Sequence, residues 1–296
     1  MKLTQKYFSL IILSGVILAF LWPTPGLIIK PYLIFLLGIM MTLSCLRIDL
    51  KELKTIKTDW WHYLIIMTII FLLPPILTFL AHTFALKDNN LYIGMMLASV
   101  VPCGISIVFV TDLLGGKTHK ALITTTLAHL LSPIITPLIF WLFVHQIITV
   151  DFSSMIVLIL KLVFIPLIIA QIIRGFSWQT KLIKIGKDIN TFLLLLLLWG
   201  LVAPTTNLIL NNMKASLIAL LLAIVIMSLA AMIAKFFGQD DQEDITWMVA
   251  STFKNFTLSS VIALSLFGDM ALLGSVVFGV VSNLFIIPLQ IIYRKK

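Results

Sequence analysis

A lysine and an asparagine, Lys254 and Asn255, stand near the middle of an apolar run that covers residues 245–267. A lysine at the centre of a membrane helix costs about 2.5–3.5 kcal/mol on insertion scales, so its side chain usually faces a cavity or the interior of a helix bundle. An ammonium group in such a place serves as the counter-charge of an anion or takes the place of a bound cation. We therefore interpret Lys254 as a functional residue.

A second apolar run, residues 91–114, is interrupted by Pro102, Cys103 and Gly104. A proline and a glycine in the middle of a membrane helix release backbone groups that lipid cannot bond, so the break is tolerated only against protein or water. Ser106 follows directly and adds a hydroxyl group. This pattern predicts that the break lines a binding site.

The two runs occupy equivalent positions in two halves of the chain. Ala98-Ser99 recurs at residues 250–251, an offset of 152 residues (250 − 98 = 152), and the same offset places Gly116 on Gly268. Breaks at matching positions of two repeats indicate a transporter whose binding site lies between the repeats.

The second run contains neither proline nor glycine, so its break is predicted from the repeat and from the buried lysine. We expect a helix to restart at Leu258, with Asn255 and Thr257 as its caps. Because helix N-termini carry partial positive charge, N–H groups after both breaks would favour an anion. The candidate substrate-binding residues are Pro102, Cys103, Gly104, Ser106, Lys254, Asn255 and Thr257.

Composition places the chain among polytopic membrane proteins. It has 296 residues, of which 60% are hydrophobic and 11% charged, and its mean hydropathy is +1.13. Apolar runs long enough to span about 30 Å of hydrocarbon predict ten transmembrane helices. They cover residues 7–22, 27–46, 60–84, 91–114, 119–144, 152–174, 188–208, 214–237, 245–267 and 269–293.

The basic residues predict the orientation of these spans. Ten spans put both termini on one side, and 16 of the 21 basic residues fall at that side, against Lys30, Lys87 and Lys214 at the other. Positive charge concentrates in cytoplasmic loops, so we expect both termini in the cytoplasm and the protein in the cell membrane. The net charge of +9 then follows largely from topology and requires no nucleic-acid partner. The role of Lys161 is left open.

An odd number of spans in each half means that the halves enter the membrane from opposite sides. The sequence thus predicts an all-α fold with ten helices as two inverted five-helix repeats, at about residues 7–144 and 152–293. Residues 1–296 form a single transmembrane domain in this interpretation, with discontinuous helices 4 and 9 crossing near its centre. The first run is read as a retained helix, because no cleavage motif of a signal peptide follows it.

Other functional classes have less support. A membrane enzyme needs a cluster of titratable groups or metal ligands, and the sequence shows no such cluster and no nucleophile motif. A channel would carry rings of polar residues from a symmetric oligomer. We expect no catalytic activity, metal site or cofactor, and the partners expected are the lipid bilayer and a small organic anion. The oligomeric state is left open.

Several of these segments resemble the bile acid:sodium symporter family. The matching features are Gly38-Ile-Met-Met-Thr-Leu before a charged segment, Pro102-Cys103-Gly104, the exit Leu-Leu-Gly-Gly-Lys, Ser132-Pro133 with Pro137, and Lys254-Asn255. The resemblance implies a panel of helices 1, 2, 6 and 7 and a core of helices 3–5 and 8–10. It also implies that crossed helices 4 and 9 bind an organic anion, which is carried by alternating access.

The sodium sites of that family are only partly retained. Of the first site only Thr125 matches, and Lys254 stands where coupled members carry glutamine. Other ligand positions carry apolar residues, namely Ile70, Ile107, Val108, Ala121 and Ala250. We therefore name Lys254 and Thr125 as the ion-coupling candidates, and we expect the ammonium of Lys254 to replace a sodium ion.

Two alternatives remain open. One is ordinary sodium-coupled symport through a rearranged ion site. The other is efflux of arsenite or another metalloid through Cys103, because Pro102-Cys103 followed by Val108-Phe109-Val110 is similar to arsenite permeases. An acidic residue of those permeases corresponds to Thr257 here, which weakens the second alternative.

Overall fold

The computed structural model describes residues 8–48, 50, 56, 59–104 and 106–293, and these are mainly α-helical with no β-strand. This confirms the all-α class. In chain order the helices are α1 (Phe8–Leu21), α2 (Pro23–Cys45), α3 (Trp60–Phe84), α4 (Asn89–Val100), α5 (Ile107–Leu114), α6 (Thr118–Val144), α7 (Phe152–Arg174), α8 (Gln179–Val202), α9 (Thr206–Asn211), α10 (Met213–Lys235), α11 (Asp241–Thr252), α12 (Phe256–Leu266), α13 (Asp269–Leu284) and α14 (Ile286–Tyr293). The termini, predicted to be cytoplasmic, lie outside the described residues.

Seven helices in the described part of the chain are long and apolar enough to cross a membrane. They are Pro23–Cys45, Trp60–Phe84, Thr118–Val144, Phe152–Arg174, Asp188–Asn211, Met213–Lys235 and Asp269–Tyr293. The fourth and ninth predicted spans are absent from this set because each is divided into two shorter helices. The first predicted span corresponds to α1, of which 14 residues are described. The full number of ten spans stays a prediction.

The boundary between the first two helices differs from the sequence interpretation. The spans predicted at residues 7–22 and 27–46 leave Pro23-Thr24-Pro25-Gly26 between them, but Pro23 is the first residue of α2 and Trp22 is its N-cap. Proline is well tolerated there, because the first N–H groups of a helix have no partner within the helix and its fixed φ suits the first turn. Only Trp22 separates α1 from α2.

The long helices form two groups that pack most extensively within themselves. The first helix group consists of α1, α2, α7 and α8. The second helix group consists of α3 to α6 and α10 to α14. The groups meet where α2 and α8 face α12 and where α6 faces the start of α7.

Within the second helix group, α4 and α13 pack almost backbone to backbone. A Cβ atom added at Gly94 would lie 1.9 Å from the carbonyl oxygen of Ala271, and one added at Gly274 would lie 2.3 Å from that of Leu91. Small residues allow such close approach in membrane helices, where packing and not the hydrophobic effect holds helices together. This contact holds the first half of the broken span α4–α5 against the second repeat.

We expect Gly94→Ala to destabilise the protein by about 1–3 kcal/mol, because the methyl group overlaps a carbonyl that belongs to a helix backbone. The measurement is thermal unfolding in detergent, followed by tryptophan fluorescence. Gly38→Ala is the matched control, since no atom lies within 4 Å of its added Cβ. Equal unfolding temperatures for the two variants would contradict the close approach.

At one end of the second helix group, a charged network joins the N-terminal ends of α3, α6 and α11. The ammonium of Lys120 donates to Asp59 (2.5 Å) and to Glu243, whose side chain is fully buried. The hydrogen bond from Lys120 holds the pKa of Asp59 below its ordinary value of 3.8. Lys117 forms a further pair with Asp240, which is half exposed. The network fixes three helix ends relative to one another.

Lys120→Met should destabilise the protein by about 3–5 kcal/mol, because it leaves the buried carboxylate of Glu243 without its cation. Lys117→Met removes the same charge from an exposed pair and should cost about 1 kcal/mol or less. Thermal unfolding at pH 7 compares the two variants. A loss of stability in Lys117→Met as large as in Lys120→Met would show that burial of Glu243 is unimportant.

Candidate functional site

The two helix breaks lie side by side and bond to each other. The first separates α4 from α5, and the second separates α11 from α12. The N–H of Gly104 donates to the carbonyl of Phe253 (2.7 Å), and the N–H of Asn255 donates to the carbonyl of Pro102 (2.9 Å). The interruption predicted within residues 245–267 is therefore confirmed.

Side chains from neighbouring helices bond further carbonyls released at the breaks. The hydroxyl of Thr136 on α6 donates to the carbonyl of Val100 (3.1 Å), and that of Ser282 on α13 donates to the carbonyl of Thr252 (3.0 Å). Buried backbone groups need such partners, because an unbonded group costs free energy comparable to a lost hydrogen bond. Hydrogen bonds from α6 and α13 thus hold both breaks in place.

The side chain of Lys254 is bonded by two further backbone carbonyls. Its Nζ donates to the carbonyl oxygens of Ile70 (2.5 Å) and Val101 (3.3 Å). The carbonyl of Ile70 is available because Pro74, four residues later in α3, has no N–H to bond it. Lys254 is only 4% exposed. Pro74 therefore frees one of the two carbonyls that bond this ammonium group.

Asn255 caps the helix that follows the second break. Its Oδ1 accepts hydrogen bonds from the N–H of Leu258 (3.2 Å) and the hydroxyl of Thr257 (3.0 Å). The cap predicted for Asn255 is confirmed, but α12 begins at Phe256 and not at Leu258. Thr257 lies inside the helix and holds the capping side chain in place, so its assignment as a cap was wrong.

Backbone N–H groups at the breaks were expected to bind an anion. Those of Gly104 and Asn255 are used in the crossing, and the N–H of Phe256 donates to the carbonyl of Lys254 (2.9 Å). The N–H of Ile107 donates to the carbonyl of Gly104 (3.1 Å). These four groups therefore already donate to protein carbonyls.

On the inner side of the crossing, Thr125 stands beside Cys103 and His129. Cys103 is fully buried, and its Sγ lies 4.0 Å from the hydroxyl of Thr125, which donates to the carbonyl of Ala121 (2.8 Å). His129 contacts the Thr125 carbonyl through Nδ1 (2.8 Å) and the amide of Asn255 through Nε2 (3.4 Å). The hydroxyl of Thr125 therefore lies near the thiol of Cys103, and its carbonyl contacts the imidazole of His129.

The resemblance places sodium ligands of coupled relatives at positions that carry apolar side chains here. Ile107 and Ala250 are fully buried. Among the described residues no three His, Cys, Asp or Glu side chains form a group that could hold a metal ion. A hard cation requires several oxygen ligands, and the side chains of Ile107 and Ala250 supply none.

A cavity of about 420 Å³ lies between the two helix groups and reaches the crossing. Of the predicted substrate-binding residues, Gly104, Ser106, Lys254, Asn255 and Thr257 line it. Pro102 and Cys103, and the ion-coupling candidate Thr125, are not part of its wall. The structure therefore brings five of the predicted residues together around one space.

The cavity also has polar residues that the sequence analysis did not predict. They are Ser44, Arg47, Asn190 and Thr191 from the first helix group and Asp112, Thr118 and Asn283 from the second. Arg47 was counted only as a charge that sets topology. Apolar side chains complete the wall, among them Met40, Met41, Val108, Phe109, Leu194, Phe253 and Phe256. This combination suits an amphipathic molecule.

Lys161, whose role was left open, lies on a π-helical turn within α7 (Leu160–Phe164) and is exposed. It lines a separate cavity of about 360 Å³ together with Ser153, Ser154 and Ser265. This cavity shares no lining residue with the cavity at the helix crossing.

Comparisons with known proteins bear on this site. The model of the sodium bile acid symporter family matches residues 34–212, which include the first break and end before the second. An uncharacterized sodium-dependent transporter of Bacillus subtilis (strain 168), YocS, is 24% identical over 298 residues, covering 98% of this chain and 91% of YocS. Because the family match extends over more than half of its residues, this chain belongs to the sodium bile acid symporter family, whose members are transporters.

Proposed function

We propose that the protein is a secondary active transporter that carries a small organic anion across the cell membrane by alternating access. We further propose that the ammonium of Lys254 replaces the coupling sodium ion. The observation that carries this proposal is the bonding of that ammonium to the carbonyls of Ile70 and Val101, at the edge of a cavity between two helix groups.

A ten-helix inverted repeat is part of the proposal. It is supported by the two broken spans, which lie 152 residues apart in sequence (250 − 98 = 152) and pair with each other at their breaks. The packing of α1, α2, α7 and α8 as one group supports a division into panel and core helices. Both termini are then cytoplasmic.

Alternating access requires that the cavity be closed at one end, and an ion pair marks that end. Lys30 on α2 and Asp269 at the start of α13 form a salt bridge (2.9 Å) between the two helix groups. In the proposed topology this pair is extracellular. The cavity residues Arg47, Asp112 and Thr118 lie at helix ends on the cytoplasmic side. We therefore assign the conformation as inward-facing.

The proposed role of Lys254 follows from its positive charge and from its covalent attachment to the protein. A bound sodium ion would be held by oxygens of the third, fourth and ninth spans, and the ammonium of Lys254 links the same three elements through two carbonyls. Unlike sodium it cannot dissociate, so a sodium gradient cannot drive transport through it. A proton gradient or the substrate gradient then supplies the energy.

Sodium-coupled symport is the second candidate, and the description of YocS as a sodium-dependent transporter favours it. Metalloid efflux has less support, because the thiol of Cys103 is fully buried and faces Thr125. A thiol that binds a metalloid must be reached by it.

The first test of the ion site compares unfolding temperatures in sodium chloride and potassium chloride. We expect no sodium-specific stabilisation of the wild-type protein. The double variant Ala250→Glu/Lys254→Gln replaces the ammonium with oxygen ligands. Sodium chloride should raise its unfolding temperature more than potassium chloride does. A 100-fold excess of sodium over its Kd would stabilise that variant by about 2.7 kcal/mol.

Lys161→Gln is the control for this test, because it removes another lysine of a predicted span at a distance from the crossing. It should behave as the wild-type protein does. Stabilisation of the wild-type protein by sodium but not by potassium would restore ordinary symport.

The second test concerns alternating access. We expect the double variant Lys30→Cys/Asp269→Cys to lose transport after reaction with a bifunctional methanethiosulfonate, because the cross-link would hold the extracellular ends of the helix groups together. Reduction should restore it. Uptake of labelled glycocholate into proteoliposomes measures transport, and binding of the same compound measures access to the site.

The single variant Lys30→Cys serves as the control and should be insensitive to the same reagent. The two native cysteines, Cys45 and Cys103, are buried and unpaired. Full uptake by the cross-linked double variant would show that the helix groups do not separate at this end.

A further inference from the structure

We propose that Arg47, together with Asn190 and Ser44, forms a subsite on the wall of the first helix group that binds the anionic group of the substrate. This inference rests on the proposed function, since it names residues that recognise an organic anion in the same cavity. It assigns recognition of charge to the first helix group, away from the helix breaks of the second.

The first argument is the incomplete bonding of this cluster. The Nε of Arg47 and the Oδ1 of Asn190 are buried, and neither has a hydrogen-bond partner among the residues that the structure describes. A buried donor or acceptor without a partner costs about 1–3 kcal/mol. The two atoms provide one donor and one acceptor on the same wall. An anion with a neighbouring hydroxyl or N–H group would satisfy both.

The second argument is the charge of the cavity. Of the cations that line it, Lys254 already donates to two carbonyls, and Arg47 forms no ion pair with a carboxylate in the described part of the chain. Burial lowers the pKa of Arg47 below its ordinary value, yet arginine remains charged in proteins. A guanidinium without a counter-ion beside a cavity favours an anionic ligand.

The third argument is the asymmetry of the two walls. Asp112, an exposed residue of α5, lines the cavity from the second helix group, whereas Arg47 lines it from the first. The carboxylate repels an anionic group and the guanidinium attracts one. Together they orient the substrate, with its anionic group towards α2 and α8 and its apolar part along the methionine and phenylalanine side chains.

The fourth argument is that Arg47 is held in position by its neighbours in sequence. The carbonyl of Leu46 accepts from Arg174 (3.0 Å), and the carbonyl of Ile48 accepts from Gln171 (3.1 Å). The Nδ2 of Asn190 donates to the hydroxyl of Ser44 (2.8 Å), which joins α8 to α2. These bonds fix the backbone on both sides of Arg47 and reduce the entropy lost when a ligand binds.

The test uses mandelate, a small hydroxycarboxylate, its uncharged analogue mandelamide, and glycocholate, with affinities measured by calorimetry on the purified protein. We expect Arg47→Gln to weaken binding of mandelate and glycocholate at least about tenfold, since a hydrogen bond to a charged group is lost. Its affinity for mandelamide should not change. Arg47→Lys keeps the charge but not the planar donor geometry, and should recover part of the loss.

Lys184→Gln removes a positive charge from an exposed position of α8 outside the cavity wall and should leave all three affinities unchanged. The unfolding temperature of Arg47→Gln without ligand should equal or exceed that of the wild-type protein, because an unpaired buried donor is removed. Equal affinity of Arg47→Gln and wild-type protein for mandelate would overturn the subsite and leave the proposed transport intact. A wild-type protein that binds neither mandelate nor glycocholate would contradict both.

Discussion

The structure depends on one requirement, which is that backbone groups released by two broken helices find hydrogen-bond partners within the protein, because lipid offers none. The carbonyls of Pro102 and Phe253 bond N–H groups of the opposite break, and the carbonyl of Val100 bonds Thr136. Each break therefore needs the other. Because lipid cannot replace any of these partners, the two halves of the chain have to meet at this point.

A proline connects this requirement to the charge at the crossing. Pro74 leaves the carbonyl of Ile70 without its helical partner, and the break before Pro102 does the same for Val101. Both carbonyls accept from the ammonium of Lys254. Desolvation of an ammonium group and loss of two backbone hydrogen bonds are each unfavourable in hydrocarbon. When the ammonium donates to both carbonyls, each group gains the hydrogen-bond partner that it lacks, and the two costs are reduced together. This explains why a lysine is tolerated so deep in the protein.

The sequence was sufficient for features that follow from local chemistry. Pro102 and Gly104 mark the first break by their residue types, and Lys254 marks the second by its charge in an apolar run. It was insufficient where the outcome depends on packing between distant segments. Arg47 and Asn190 belong to helices far apart in the chain, and only their meeting on one cavity wall distinguishes them from ordinary polar residues at span ends.

In the proposed mechanism, the distribution of charge across the cavity assigns recognition and coupling to different helix groups. Lys254 is bonded by α3 and by the break after α4, so its charge moves with the second helix group. Arg47 belongs to the first helix group, at the end of α2. A substrate bonded to Arg47 and in contact with Asn255 therefore spans the boundary at which the groups would separate. Movement of the groups must break the contact with Arg47, so an arginine that binds too tightly would slow transport. A single guanidinium on a wall whose other residues are uncharged, among them Met40, Met41 and Leu194, suits a ligand that has to be released.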